Sequence, residues 1–542
     1  MPGPEKSWRP SFRDSKFRHV LGKSGSCDDS YTGVPITGSV HDNHFCSANP
    51  SFIAIVTESV GGGSFLVLPI NQTGRVDPRH PRVSGHSGPV LDVKWNPFDD
   101  HCVASCSEDC TVRIWDIPDC GVQQELLRAR KTLIGHCRRV GLIQWHPTAE
   151  NLLLSSAYDY RVLLWDVSQT GSVLRRPVRV VLMPVHRRHP SEALLLSVSF
   201  SGDGSRLAAA SKDRRVRILD PRTGRVLQVS NTRSHRVYKV LYMGGLRMLL
   251  TTGRSPWNQR QAVLWDPEDL SKPLHEEILD ASAGVIFPFY DADTRMLYLA
   301  GKGDTTIRCY ELSNETPYIS FLTEFRCRVP QKGLGVMPKR GLDVSACEIF
   351  RFYRVIAVKA TVEPLSVVVP RRESRTFQKD LYPATAGDRA AVTAQEWLQG
   401  AEKEPLMMSL KPGVLVPNPY PECPARPLSS PRFQPRLTFS TEFPCDKKDF
   451  LEEQLSYQNA KYPKDVSELL GWQPDGTGSF SLLRLQPSEA AVPPSGSELL
   501  QELHRQQEEL MALRVALNHR DVRIAQLELK DQHQELKTNI RS

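Results

Sequence analysis

The stretch "GHSGPVLDVKWNPFDDHCVASCSEDCTVRIWD", Gly85 to Asp116, recurs as "GHCRRVGLIQWHPTAENLLLSSAYDYRVLLWD", Gly135 to Asp166. His86 and His136 stand at the same interval before Trp115 and Trp165, and Asp109 and Asp159 fall in matching turns. Self-similarity at this period, closing on Trp-Asp, is the mark of WD-type repeats, each supplying one blade to a β-propeller. Inside a repeat the residues alternate as in a half-buried strand, with Val112 and Ile114 set against Thr111 and Arg113. Turn-forming "NPFDD", "SGDGS" and "DADT" separate the strands.

Weaker copies extend the pattern. "VSFSGDGSRLAAASKDRRVRILD" ends at Asp220, another copy runs from His235 to Asp266, and "FPFYDADTRMLYLAGKGDTTIRCYE" carries Tyr310-Glu311 where Trp-Asp would stand. Upstream, "FIAIVTE" and "GGGSFLVLPI" read as two strands around a glycine turn, a degenerate first blade. Dividing residues 34–353 by about 40–45 residues per blade gives roughly seven. A ring of sheets also needs closure, which N-terminal strand material paired with the last blade would provide.

His86, Ser105, Asp109 and Trp115, repeated as His136, Ser155, Asp159 and Trp165, have the composition of a Ser-His-Asp catalytic set. A catalytic set is needed once, not once per blade, so these residues are expected to form a hydrogen-bonded network joining strands within a blade. "GKGD" at Gly301 lacks the upstream glycine and following Ser/Thr of a phosphate loop. "HDNH" at His41 has no third ligand in view, and Cys102, Cys106, Cys110 and Cys120 lack the paired spacing of a zinc site. The chain is therefore read as non-catalytic, with no metal and no cofactor.

With 542 residues the chain is too large for one ordinary core. Its 40% hydrophobic and 24% charged residues are ordinary for a globular protein, and its +8 net charge is diffuse. Direct nucleic-acid binding, which needs basic clustering, is not expected, although a basic face could meet an acidic protein surface. The first thirty residues are polar, and no run of about 18 apolar residues follows, so neither a signal peptide nor membrane insertion is expected. The 12 cysteines lack regular pairing intervals, as in a reduced compartment, cytosol or nucleus.

Near residue 400 the texture changes. Nine prolines fall between Pro405 and Pro435, the composition of an extended linker. From Ser495 the pattern turns helical, with Leu503, Leu510, Leu517 and Ile524 every seven residues and Leu499, Leu513 and Leu527 in the alternate row. In "RIAQLE", Ile524 and Leu527 are core positions while Arg523 can reach Glu528 of a neighbouring helix. This arrangement resembles a short parallel trimeric coiled coil, so self-association as a trimer is favoured over a dimer.

"SKFRHVLGK" at Ser15, "GGGSFLVLPI" at Gly61, "GPVLDVKWNPFDD" at Gly88, "FPFYDADTRMLYLAGKGDTTIR" at Phe287 and "PQKGLGVMPKRGLDVSACEIFRFYRV" at Pro330 together resemble the coronin family. "SVHDNHFCSANP" and the long linker are most similar to its class II members. The resemblance implies a seven-bladed propeller that binds actin filaments through basic surface, and a terminal coil that oligomerises and, in class I, also engages the nucleating complex of actin-related proteins. It implies filament-binding candidates at Lys16, Arg18 and His19 and at Lys332, Lys339 and Arg340, charges that could equally pin the extension to the propeller. An arginine important in class I aligns with Pro35, and a nearby basic position with Gly38.

The expected organisation is thus a basic N-terminal segment (1–33), a seven-bladed propeller (34–353), an extension packed on it (354–400), a Pro-rich linker (401–494) and a coiled coil (495–542). The expected function is that of an oligomeric actin-filament binder that bundles or scaffolds filaments in the cytoplasm, at the cortex or adhesion sites. The alternative is a WD-repeat scaffold for a non-actin signalling or nuclear complex.

Overall fold

Alternating apolar strands, cut by Asp- and Gly-rich turns, pair with their sequence neighbours into seven sheets of four or more strands. The computed structural model describes residues 15–58, 62–182, 194–230, 235–372 and 376–411. Most of the expected linker lies outside the described residues, as does the coiled coil with Leu503, Leu510, Leu513, Leu517, Arg523, Ile524, Leu527 and Glu528.

The inner strands of the blades are Cys46–Ala48, Val90–Asn96, Val140–Trp145, Leu195–Phe200, Arg236–Met243, Ile286–Asp291 and Gly333–Val336. Each blade then runs outward by antiparallel pairing. In the third, for example, Leu152–Ala157, Arg161–Asp166 and Arg179–Leu182 follow in order. The degenerate first blade pairs Phe52–Val56 with Gly63–Pro69, as the glycine turn implies. Because successive strands reverse, the loops entering each inner strand and those joining the second to the third strand share one rim, the upper face here. The remaining loops share the lower.

The seventh blade closes the ring. Its strands Gly333–Val336, Glu348–Ile356 and Thr361–Val368 come from the far end of the propeller, and its outer edge comes from Leu21–Ser24 and Tyr31–Thr32. Residue 353, the expected end of the propeller, lies inside Glu348–Ile356, and Leu21–Ser24 and Tyr31–Thr32 of the expected N-terminal segment belong to this sheet. The closing edge is thus N-terminal strand material, as expected, borrowed from more than 300 residues upstream.

Apolar side chains fill the spaces between blades. Leu91, Ala104 and Ile114 of the second blade meet Leu153, Leu163 and Trp165 of the third. The repeated polar residues lie at the same seams. His86 bonds Asp109 through Nδ1 (2.8 Å) and Ser105 Oγ through Nε2 (2.8 Å), and Trp115 Nε1 donates to that hydroxyl (2.8 Å). His136, Asp159, Ser155 and Trp165 repeat the arrangement at 2.9, 2.8 and 2.9 Å. Trp115 and Ser105 join two strands of the second blade, as expected, while His86 ends the outer strand of the first, so the network also couples neighbouring blades. In the fifth blade Thr251 takes the serine's place between His235 and Trp265, and Gln261 takes the aspartate's.

Beyond the seventh blade the chain crosses the lower face. Tyr382 donates to Glu348 O (2.9 Å), Val392–Thr393 pairs with Ala149–Glu150 of the third blade, and a capped helical turn, Ala394–Leu398, buries Trp397 between the third and fourth blades. Arg222 stacks on that indole at 4.4 Å and donates to Trp397 O and Ala401 O. Removing the hydroxyl in Ser155→Ala leaves His136 Nε2 and Trp165 Nε1 without their buried partner, which costs about 2–3 kcal/mol. Urea unfolding should show a lower midpoint with an unchanged slope.

Candidate partner-binding faces of the propeller

Between the closing strand Tyr31–Thr32 and the first inner strand, the chain must pass from the outside of the ring to its centre. It does so as a strap, residues 33–45, across the upper mouth. Few strap carbonyls have ladder partners, so they need other donors. Three lysines supply them. Lys332 donates to Thr37 O (2.5 Å), Lys302 to Val40 O and His41 O (both 2.7 Å) and to Asp42 Oδ1 (2.9 Å), and Lys239 to Asp42 O (2.6 Å). These lysines belong to the seventh, sixth and fifth blades.

Asn43 extends the strap's reach to the second and third blades, donating to Leu91 O and Gly141 O at 2.8 Å each. The ring of His41 meets Tyr158 Oη at 2.9 Å, and that of His44 rests on Phe287 and Phe289 at 4.7 and 5.3 Å. The approach is tight enough that a Cβ at Gly333 would sit 2.1 Å from His44 O. "HDNH" therefore gives two anchors on separate blades, and no cluster of metal-ligating side chains forms among the described residues.

Burial sets the charge states here. It lowers Lys239 to about 8, with Asp42 and Asp92 opposing the shift and Lys94 and Lys302 adding to it. Lys332 is lowered by burial and by Lys302. Burial also holds His44 well below its ordinary range and brings His146 and His235 down to about 4.

The six basic residues expected to meet a filament divide between the two faces. Lys332 lies on the upper face, holding the strap. Lys339 and Arg340 lie on the lower: Lys339 pairs with Asp291 of the sixth blade and donates to Ile349 O (2.7 Å), while Arg340 makes a forked pair with Asp100 of the second. Lys16 donates to Asp380 O (2.5 Å), also below. Arg18 and His19 are exposed beside it. Much of this charge is engaged in internal bonds. Pro35 and Gly38 begin the strap, where Glu58 N donates to Pro35 O at 3.0 Å.

The upper rim of the third, fourth and fifth blades carries residues that the sequence reading passed over. Arg138, Arg139, Arg161, Lys212, Arg214 and Arg236 are exposed there. Spaced through turns of three separate repeats, they form no run in the sequence.

Seven radial sheets, inter-blade His–Asp–Ser–Trp networks and a borrowed closing strand define a WD-repeat β-propeller protein. Profiles described as WD domain, G-beta repeat match residues 79–116 and 182–220; one described as a type of WD40 repeat matches 362–405, and a domain of unknown function (DUF1899) matches 10–75. Coronin-2A of Homo sapiens is 50% identical over 531 residues, 97% of this chain and 98% of its own length. Coronin-2B of Homo sapiens is 48% identical over 97% of this chain and 96% of its own. The crystal structure of the WD40 domain from Toxoplasma gondii coronin matches with a TM-score of 0.66 at 27% identity, covering 73% of this chain and 98% of that one. The chain belongs to the coronin family, whose members are non-catalytic.

Below pH 6.5 the unfolded chain takes up protons on His44, His146 and His235 that the fold refuses, so stability falls with pH in that range. A histidine held at about 4 contributes a loss of about 2 kcal/mol by pH 5. Asp92 and Asp293, pushed up by burial, oppose the trend in part. The melting temperature should drop between pH 7 and pH 5; a flat profile would contradict neutral burial of these rings. Asn43→Ala should cost about 2 kcal/mol at pH 7, read in urea, because two buried carbonyls lose their donor.

Proposed function

We propose that this protein is an oligomeric actin-filament binder that bundles or scaffolds filaments and organises the cytoskeleton. The observation that carries the reading is the extent of the coronin match, about half of all residues identical across 97% of the chain, beyond the propeller and through the C-terminal region. The propeller offers a rigid ring with loops displayed on two faces, which suits a broad partner surface. The coil then supplies avidity: self-association through Leu503, Leu510, Leu513, Leu517, Ile524 and Leu527, with Arg523–Glu528 pairs between helices, turns one weak head into several on neighbouring filament subunits, a gain of roughly a hundredfold. Trimers are favoured. The nucleating complex of actin-related proteins is a further partner by family resemblance, and the cytoplasm at the cortex or adhesion sites is the expected location.

A second reading, a WD-repeat scaffold for a non-actin complex, is supported by Pro35 at the class I arginine position and by the internal bonds of Lys332, Lys339 and Arg340. Co-sedimentation with actin filaments separates the two. The full chain should pellet, more weakly at physiological than at low salt, and a chain ending at Pro494 should pellet at least tenfold less well. If neither pellets at low salt, the scaffold reading takes its place.

A further inference from the structure

The lower face is occupied by the extension, which runs from Leu381 and Tyr382 beneath the sixth and seventh blades to Trp397 beneath the third and fourth. On the upper face Lys239, Lys302 and Lys332 of the fifth, sixth and seventh blades are turned inward to the strap. The fifth and sixth blades further neutralise Arg260 and Arg308 with Asp280 and Asp304. Arg328 and Lys359 stay exposed on the rim of the seventh blade, and the larger group of exposed cations lies on the third to fifth.

Arg138 and Arg161 lie on the third blade, Lys212 and Arg214 on the fourth and Arg236 on the fifth. None of the five meets a carboxylate within ion-pair distance among the described residues. Nearby, Arg139 is balanced by Glu108 (3.3 Å) and covers the ring of Tyr158 at 4.0 Å. Tyr158 and Tyr238 line a cavity of about 340 Å3 between this sector and the strap. Arg139 joins the two tyrosines in its lining, and arginine with tyrosine is a composition that interface centres favour.

Arg214 offers a position at which the charge can be removed without strain. It sits at the tip of the fourth blade's turn with φ of +66°, in the left-handed region that favours glycine. The second and third blades place Cys110 and Tyr160 there with φ of +65° each, the fifth Asn258 with +62° and the sixth Gly303 with +82°. The left-handed position is thus common to these turns whatever side chain occupies it, and glycine fits it without strain.

We propose that the basic upper sector of the third to fifth blades, centred on Arg138 and Arg214, is the surface that meets the acidic face of the filament. This rests on the filament-binding reading above and moves its contact away from the six residues the sequence suggested. The test is salt-dependent co-sedimentation of the full chain. Charge reversal in Arg138→Glu/Arg214→Glu should weaken pelleting about tenfold and flatten its salt dependence, while the control Lys272→Glu/Lys379→Glu, exposed residues of the outer edge and lower side, should change it less than twofold. Arg214→Gly guards against a folding artefact: it relaxes the turn, so the melting temperature should hold or rise while pelleting still falls about threefold.

Unchanged pelleting by both sector variants, with the wild type binding, overturns the placement alone. Failure of the wild type to pellet at low salt overturns the filament reading and this inference with it. Loss of binding to a homopolymeric RNA with filament pelleting intact would make the sector a nucleic-acid surface, and would also overturn it.

Discussion

Pairing of Leu21–Ser24 and Tyr31–Thr32 with Thr361–Val368 joins the two ends of the propeller, and the rest of the architecture depends on that seam. An open ring would expose the unpaired edge of Thr361–Val368, and the first and seventh blades would each lose a neighbour. Borrowing the outer strand from the N-terminus removes that edge. It also fixes where the chain must go next, because a strand on the outside of the seventh blade must be followed by a crossing to the inside of the first. The strap is the geometric consequence of closure.

The strap then decides how the basic residues are used. A crossing segment without ladder partners demands donors, and Lys239, Lys302 and Lys332 meet that demand from three blades at once. Charges that look available in sequence are thereby committed to internal carbonyls. The same holds below, where Lys339 and Arg340 tie one turn of the seventh blade to Asp291 and Asp100 on blades to either side. Closure, crossing and charge distribution form one chain of causes. The upper rim of the third to fifth blades lies outside it, and there the arginines remain solvated.

Much of the fold was legible because its signals are local or periodic. The interval from His86 to Trp115, the alternation through Val112 and Ile114 and the Asp-rich turns each report contacts within one repeat, and their recurrence gave the ring. The borrowed strand was legible only as a requirement, since closure demands a partner but nothing in "SKFRHVLGK" names Val368. The role of His86 was read one step too locally: its repeat begins in the outer strand of the preceding blade, so the network couples blades. The basic sector escaped notice because a propeller gathers residues from turns some 50 residues apart, whereas a sequence reading detects charge only as a run. Arg138, Arg161 and Arg214 are neighbours only by rim.

Exposed arginines set a limit on what a single propeller can do. Each solvated charge contact is worth about 0–1 kcal/mol and is weakened by salt, so a sector of five or six supplies a few kcal/mol before the cost of association is subtracted. One head of this kind would hold a filament briefly. Its affinity could be raised by burying more charge, but the closed, lysine-anchored upper mouth and the covered lower face leave little surface to recruit. Multiplying heads is the remaining route, because tethered copies add their contacts without each bearing the full entropy of association. Rigid closure of the ring and the self-association proposed for the C-terminal region then answer the same constraint: a ring that has spent most of its charge on holding itself together would bind a polymer tightly only in company.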